Sequence, residues 1–156
     1  MPRDYRDRIE KGAEIARLGH VREHKSGGYA VQSDSNSAQS YHVQRDRSSC
    51  NCPDYLKNIG ICKHMWSTAP ALALTILAMR EAETVDDLDR LFDEGKGRAK
   101  DLPRGFELSM RHDYARAFCH LEEEVDLKKA AARVNARAQV DASRSRLAAR
   151  ITEASA

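Results

Sequence analysis

The chain has 156 residues, of which 41% are hydrophobic, only 6% aromatic and 32% charged. That length suits one ordinary domain or two very small ones, and so thin a supply of large core side chains points to a fold that leans on a metal or a partner. The formal net charge of +2 is too mild to mark a nucleic-acid binder by itself, and the longest apolar run, Ala69 to Met79, is broken by Pro70 and Thr75 and falls far short of a membrane span.

The first twenty residues are charged throughout and lack an apolar segment, so no secretory signal is expected and the reading is intracellular, cytoplasmic or nuclear. Four cysteines in a reducing compartment point to metal ligation rather than a disulfide framework.

Residues 4–19 predict an amphipathic helix with Tyr5, Ile9, Ala13, Ala16 and Leu18 near one face and Gly19 at its end. A β-hairpin follows. Tyr29-Ala30-Val31 and Tyr41-His42-Val43 are strand patterns, Asp34 to Ser37 is turn chemistry, and Gly27-Gly28 marks the entry. After a cysteine cluster, residues 65–83 predict helix, capped anew by Ser67 or Thr68 because Pro70 is tolerated only in a first turn. Thr84 caps another short helix, with Asp86 and Asp87 in its first turn and Gly95 ending it.

Residues 95–105 predict a linker. Beyond it, residues 106–153 contain no proline or glycine and predict one or two weakly amphipathic helices. Met110, Tyr114, Ala117 and Leu121 repeat at helical spacing, as do Leu127, Ala131, Val134 and Ala138. The expected fold class is therefore α+β: a small β-hairpin plus helix module (ββα) held together at the cysteine cluster, flanking helices and a mostly helical C-terminal extension. The expected division is residues 1–95 as the cysteine-bearing domain with the N-terminal helix, 96–105 as linker and 106–156 as helical extension.

The informative segment is residues 48–66. Cys50 and Cys52 stand one residue apart, nine residues intervene, and Cys62-Lys63-His64 follows. Structural zinc takes four nitrogen and sulfur ligands in a tetrahedron, which three thiolates and one imidazole supply. Residues two apart on a strand point to the same face, so Cys50 and Cys52 converge as a hairpin strand runs out. On a helix, residues two apart diverge by about 200°. Cys62 is therefore expected just before a helix and His64 in its first turn, with Gly60 folding the chain back and Pro53 to Ile61 spanning the gap as a loop.

Cys119 falls in the apolar stripe of the last helix and is expected as core. His20, His24 and His42 are expected as surface or half-buried side chains. His112, Cys119 and His120 make no nucleophilic dyad, because residues seven apart on a helix lie about 10 Å apart along its axis and adjacent ones diverge.

The C-x-C, nine residues, C-x-H arrangement resembles the SWIM zinc finger. Cys52-Pro53-Asp54-Tyr55 is similar to that family's Cys-Pro-Asp-aromatic step and Cys62-Lys63-His64 to its Cys-Lys-His. The hairpin before the cluster and the apolar helix after it are similar to the family's ββα layout, over roughly residues 27–80. The resemblance implies one structural Zn²⁺ on Cys50, Cys52, Cys62 and His64, in a module of a kind thought to bind DNA or partner proteins.

Four protein ligands leave no position for water or substrate, so no enzyme activity and no small-molecule substrate are expected. No ATPase, nuclease or kinase motif is present, and the chain looks like a stand-alone adaptor for recombination, transposition or repair. Residues 1–80 carry 12 Lys/Arg against 8 Asp/Glu, whereas residues 81–156 carry 14 against 16. Contacts to DNA or RNA are accordingly expected in the first half, through Arg45, Arg47, Lys57 and Lys63, with Arg22 and Lys25 as further candidates. Tyr55 or Tyr41 would stack on an unpaired base. Two alternatives stand beside this: the cations only balance a zinc site of formal charge −1, or the partner is a protein, docked or dimerised through the C-terminal helix.

Overall fold

A computed structural model of the chain describes residues 4–33, 36–58 and 60–154, with side chains over 7–33, 36–57, 60–137 and 139. Asp34 and Ser35 of the expected turn, and the side chains of Tyr5 and Ala138, lie outside the described residues. Two compact units are present, residues 1–118 and 119–156.

The first helix, α1, spans Asp4–Arg17 and ends where Gly19 turns left-handed at φ 71°. Its buried face is Ile9, Gly12 and Ile15, while Leu18 is half exposed. The expected stripe was thus rotated. Gly12 is the reason: a methyl group there would lie 2.8 Å from the Lys63 carbonyl oxygen and overlap Trp66. The bare glycine is what lets the helix bearing Lys63 and Trp66 come this close.

The hairpin is part of a three-stranded antiparallel sheet in the order β1-β2-β3, with β1 at Val21–Glu23, β2 at Tyr29–Gln32 and β3 at Ser40–Val43. Strand β1 was not expected. Its register pairs Val21 with Val31 and Arg22 with Ala30, and β2 pairs Val31 with Tyr41 and Ala30 with His42. Alternation then fixes the faces. Val21, Val31, Tyr41, Val43 and Tyr29 point inward, with Val31 and Val43 fully buried. His20, Arg22, Ala30, Gln32, Ser40 and His42 share the outer face.

Four more helices complete the first unit's scaffold. Helix α2 is Pro53–Asn58, α3 is Lys63–Ser67, α4 is Pro70–Arg80 and α5 is Val85–Ala99. The expected loop after Cys52 is thus partly helical, with Pro53 in the first turn where its missing N–H costs nothing. Helix α1 packs on α3 and α4, and α4 packs on α5. Neither Ser67 nor Thr68 caps α4. Their hydroxyls donate back to the carbonyls of His64 and Met65, both at 2.8 Å, and Ala69 takes the cap position instead.

Thr84 caps α5 as expected, its hydroxyl oxygen accepting from the Asp87 N–H at 3.2 Å. Gly95 does not end that helix. It is buried mid-helix, where Met79 and Met110 close over the space a side chain would need. Helix therefore occupies the expected linker as far as Ala99. After a short turn, α6 runs from Arg104 to Ala154 as one helix. Residues 106–118 count within the first unit, where Phe106 and Met110 are fully buried and Phe106 meets Trp66 edge-on at 4.7 Å.

In the second unit, residues 119–154 are helical, with Leu127 and Val134 largely exposed. Cys119 is also exposed rather than core. It follows Met110 by nine residues, half a turn out of phase with that buried side chain.

Candidate metal centre

Local chain geometry brings the two ligand pairs together. The end of β3 folds back on itself: Val43 bridges Cys50, the Gln44 N–H donates to the Ser49 carbonyl at 3.1 Å, and the Asn51 N–H donates to the His42 carbonyl at 3.2 Å. Arg47 makes that tight turn with φ 61°, a strained value for a side chain of its kind. Its guanidinium holds it there, donating to the Thr68 carbonyl at 3.0 Å and the Tyr29 hydroxyl at 2.9 Å. Cys52 then sits at the start of α2, where its sulfur accepts the Tyr55 N–H at 3.3 Å.

Cys62 is the extended residue before α3, with φ −85° and ψ 168°, and His64 lies in that helix's first turn. The expected divergence of a mid-helix pair is avoided in this way. Cys50, Cys52, Cys62 and His64 are all buried, and one donor atom from each lies within 4.8 Å of the others. Among the described residues this is the group of Cys, His and acidic side chains placed to hold a metal ion.

Zinc fits this arrangement. Thiolates about 2.3 Å from a central ion sit about 3.8 Å apart at the corners of a tetrahedron, and Cys62 Sγ lies 4.0 Å from His64 Nδ1. The protonation pattern makes the same point. The thiols of Cys50 and Cys62, hydrogen-bonded to Cys52, hold it as a thiolate far below the usual thiol range. Cys50 is pushed far up, first by its bond to Cys52, then by Cys62 and by burial. For Cys62 a bond with Cys50 lowers the value, but the bond with Cys52 and burial outweigh it, and the thiol is pushed up to about 11. Three buried thiols cannot ionise together by themselves, and a divalent cation among them removes that conflict.

Tyr41 supports the imidazole. Its ring stands 4.6 Å from that of His64. Sequence reading placed Tyr41 only as a stacking candidate, although strand alternation already put it on the buried face with Val43. His64 Nε2 is buried with no hydrogen-bond partner, so no protein group orients the ring through that nitrogen and packing against Tyr41 does so.

The remaining expected site residues scatter. Arg45 is exposed beyond β3, and Lys57 is exposed in the last turn of α2. Lys63 is half-buried between two ligands. Arg47 is engaged inside the fold, as described. Tyr55 is half-buried and its hydroxyl donates to the Ser48 carbonyl at 3.1 Å, which commits it to bracing the cysteine turn. No helix among the described residues is long and apolar enough to cross a membrane.

No curated protein and no solved structure matches the chain. A family model does match: SWIM zinc finger, over residues 41–69, which starts at the Tyr41 that packs on His64 and ends just past α3. Residues 41–69 are therefore a SWIM zinc finger, built to hold one structural Zn²⁺ on Cys50, Cys52, Cys62 and His64.

Proposed function

We propose that this chain is a non-enzymatic adaptor that binds nucleic acid in DNA metabolism, of the recombination, transposition or repair kind. The metal set is closed and buried, so zinc serves the fold and function falls to the surface it holds in place. The observation that carries the reading is that Arg45, within this finger, and Arg22 and Lys25 on the adjoining hairpin are exposed and make no ion pair among the described residues. Unpaired cations on a rigid module are free to neutralise phosphate.

A second reading has its own observation. Leu127 and Val134 are 69% and 68% exposed on the second unit's helix, which favours a protein docked along it.

Anisotropy of a labelled DNA duplex, titrated with the zinc-loaded full chain at several salt concentrations, tests the first reading. Binding that weakens steeply with salt is expected, at about 0.9 in log–log slope per phosphate contact. No binding at low salt, together with self-association lost on Leu127→Glu, would transfer the function to the helix.

A further inference from the structure

The outer face of the sheet carries chemistry that the metal centre does not use. Strand register puts His20, Arg22, Ala30, Gln32, Ser40 and His42 on it, and none of these is acidic. One hollow, of about 230 Å³, opens there and is lined by His20, Arg22, Gln32 and Ser40 among others. A second, of about 420 Å³, lies beside it at the β1–β2 turn, where Glu23 and Tyr29 of the opposite face line it together with His24, Lys25, Gly28 and Arg45.

The cations around these hollows are uncommitted. Arg22, Lys25 and Arg45 are exposed and make no ion pair among the described residues. His24 Nδ1 accepts the Ser26 N–H at 3.3 Å and meets the Ser26 hydroxyl at 2.6 Å, which leaves Nε2 to donate outward. His42 Nε2 donates to the Gly27 carbonyl at 2.9 Å, and the two imidazoles meet edge-on at 5.1 Å. His20 Nδ1 is buried and has no partner. The turn depends on its glycines: Gly27 and Gly28 have φ 87° and 83°, and any side chain on Gly28 would strike the Val43 carbonyl.

We propose that this outer sheet face and the adjoining β1–β2 turn are where the protein grips the phosphate backbone of a nucleic acid, with one phosphate in each hollow. The proposal rests on the nucleic-acid reading above and names its surface. Rows His24 and His20 are four residues apart, roughly 13 Å along a strand at about 3.4 Å per residue, so the two subsites hold non-adjacent phosphates. Tyr41 packs inward on His64, and Tyr29, which lines the turn hollow, is covered by the Arg47 guanidinium at 5.0 Å, so neither ring is an open stacking platform. The surface reads backbone rather than base, and binding is independent of sequence. Lys57, on α2, lies outside it.

The test compares full-length, zinc-loaded Arg22→Gln, Arg45→Gln and Lys57→Gln on duplexes of two unrelated sequences, with zinc content measured on each to show that the finger is intact. Arg22→Gln and Arg45→Gln should each weaken both duplexes alike and lower the salt slope by about 0.9, with Lys57→Gln close to the parent. Amide shifts of Gly27, Gly28 and Arg45 should also move on titration with inorganic phosphate. A parent that binds DNA, with both arginine variants unchanged, overturns the assignment of this face and leaves the nucleic-acid reading standing. A parent that binds no DNA overturns both. Phosphate that moves those amides without DNA binding marks a site for small phosphates and also overturns the proposal.

Discussion

The Arg80 guanidinium donates from Nε to Asp113 Oδ1 at 2.9 Å, joining the last turn of α4 to α6 inside a nearly dry contact. Asp113 is 4% exposed and Arg80 16%. Glu10 of α1 approaches the same guanidinium at 3.4 Å, so three helices meet on one cation.

Removing Asp113 leaves Arg80 buried without its main partner. Breaking a buried pair from one side costs about 3–5 kcal/mol. The approach of Glu10 softens this, so Asp113→Ala should destabilise the first unit by about 3 kcal/mol in urea unfolding, with zinc content unchanged. A loss below about 1 kcal/mol would mean that the pair is solvated.

Glycine-to-alanine changes should have opposite signs at Gly12 and Gly97. At Gly12 the new methyl meets the Lys63 backbone, which cannot swing aside, and Trp66. Overpacking of this kind costs about 1–3 kcal/mol. At Gly97 nothing lies within 4 Å, and helix propensity alone acts, stabilising by about 0.5–1 kcal/mol. Thermal unfolding of the two variants shows the split, and two changes of the same sign would contradict the close approach of α1 to α3.

Cys62→Ser and Cys119→Ser should separate cleanly. The first removes a buried ligand and should cost the bound zinc and the order of the finger. The second alters an exposed side chain and should stay within about 0.5 kcal/mol of the parent. Elemental analysis and amide exchange over residues 41–69 report the difference.

Zinc affinity should rise with pH. Cys50 and Cys62 are raised above the ordinary thiol range, so both are protonated near neutrality, whereas Cys52 is lowered and already ionised. Binding must therefore expel two thiol protons. Below about pH 9 the apparent affinity should climb up to about a hundredfold per pH unit, ten for each proton. Competition with a chelator of known pH response measures the slope, and a slope near zero would mean thiolates formed before the metal arrives.

The metal centre was legible because its constraints are local. Four ligands within fifteen positions must converge on one point, and strand and helix periodicity dictate how Cys50 with Cys52, and Cys62 with His64, can do so. Strand β1 was not legible. Val21-Arg22-Glu23 holds one apolar residue, and only pairing with β2 makes it a strand. The outer sheet face stayed hidden for the same reason, since its membership depends on that register. Gly95 and Cys119 misled in a related way. A glycine near acidic and basic residues reads as a helix end, but Met79 and Met110 required an empty position inside the helix. Cys119 was placed in the apolar stripe of the last helix, yet it is exposed, nine residues and half a turn out of phase with Met110.

Trp66 is the chain's single tryptophan, and it is fully buried. It stands two residues after His64 on the five-residue helix α3, between Gly12 of α1 and Phe106 of α6. A helix that short has little stability apart from its neighbours and the metal. Any loosening of the ligand cluster therefore reaches the indole within one turn. Intrinsic emission of the unlabelled chain is accordingly expected to report metal occupancy.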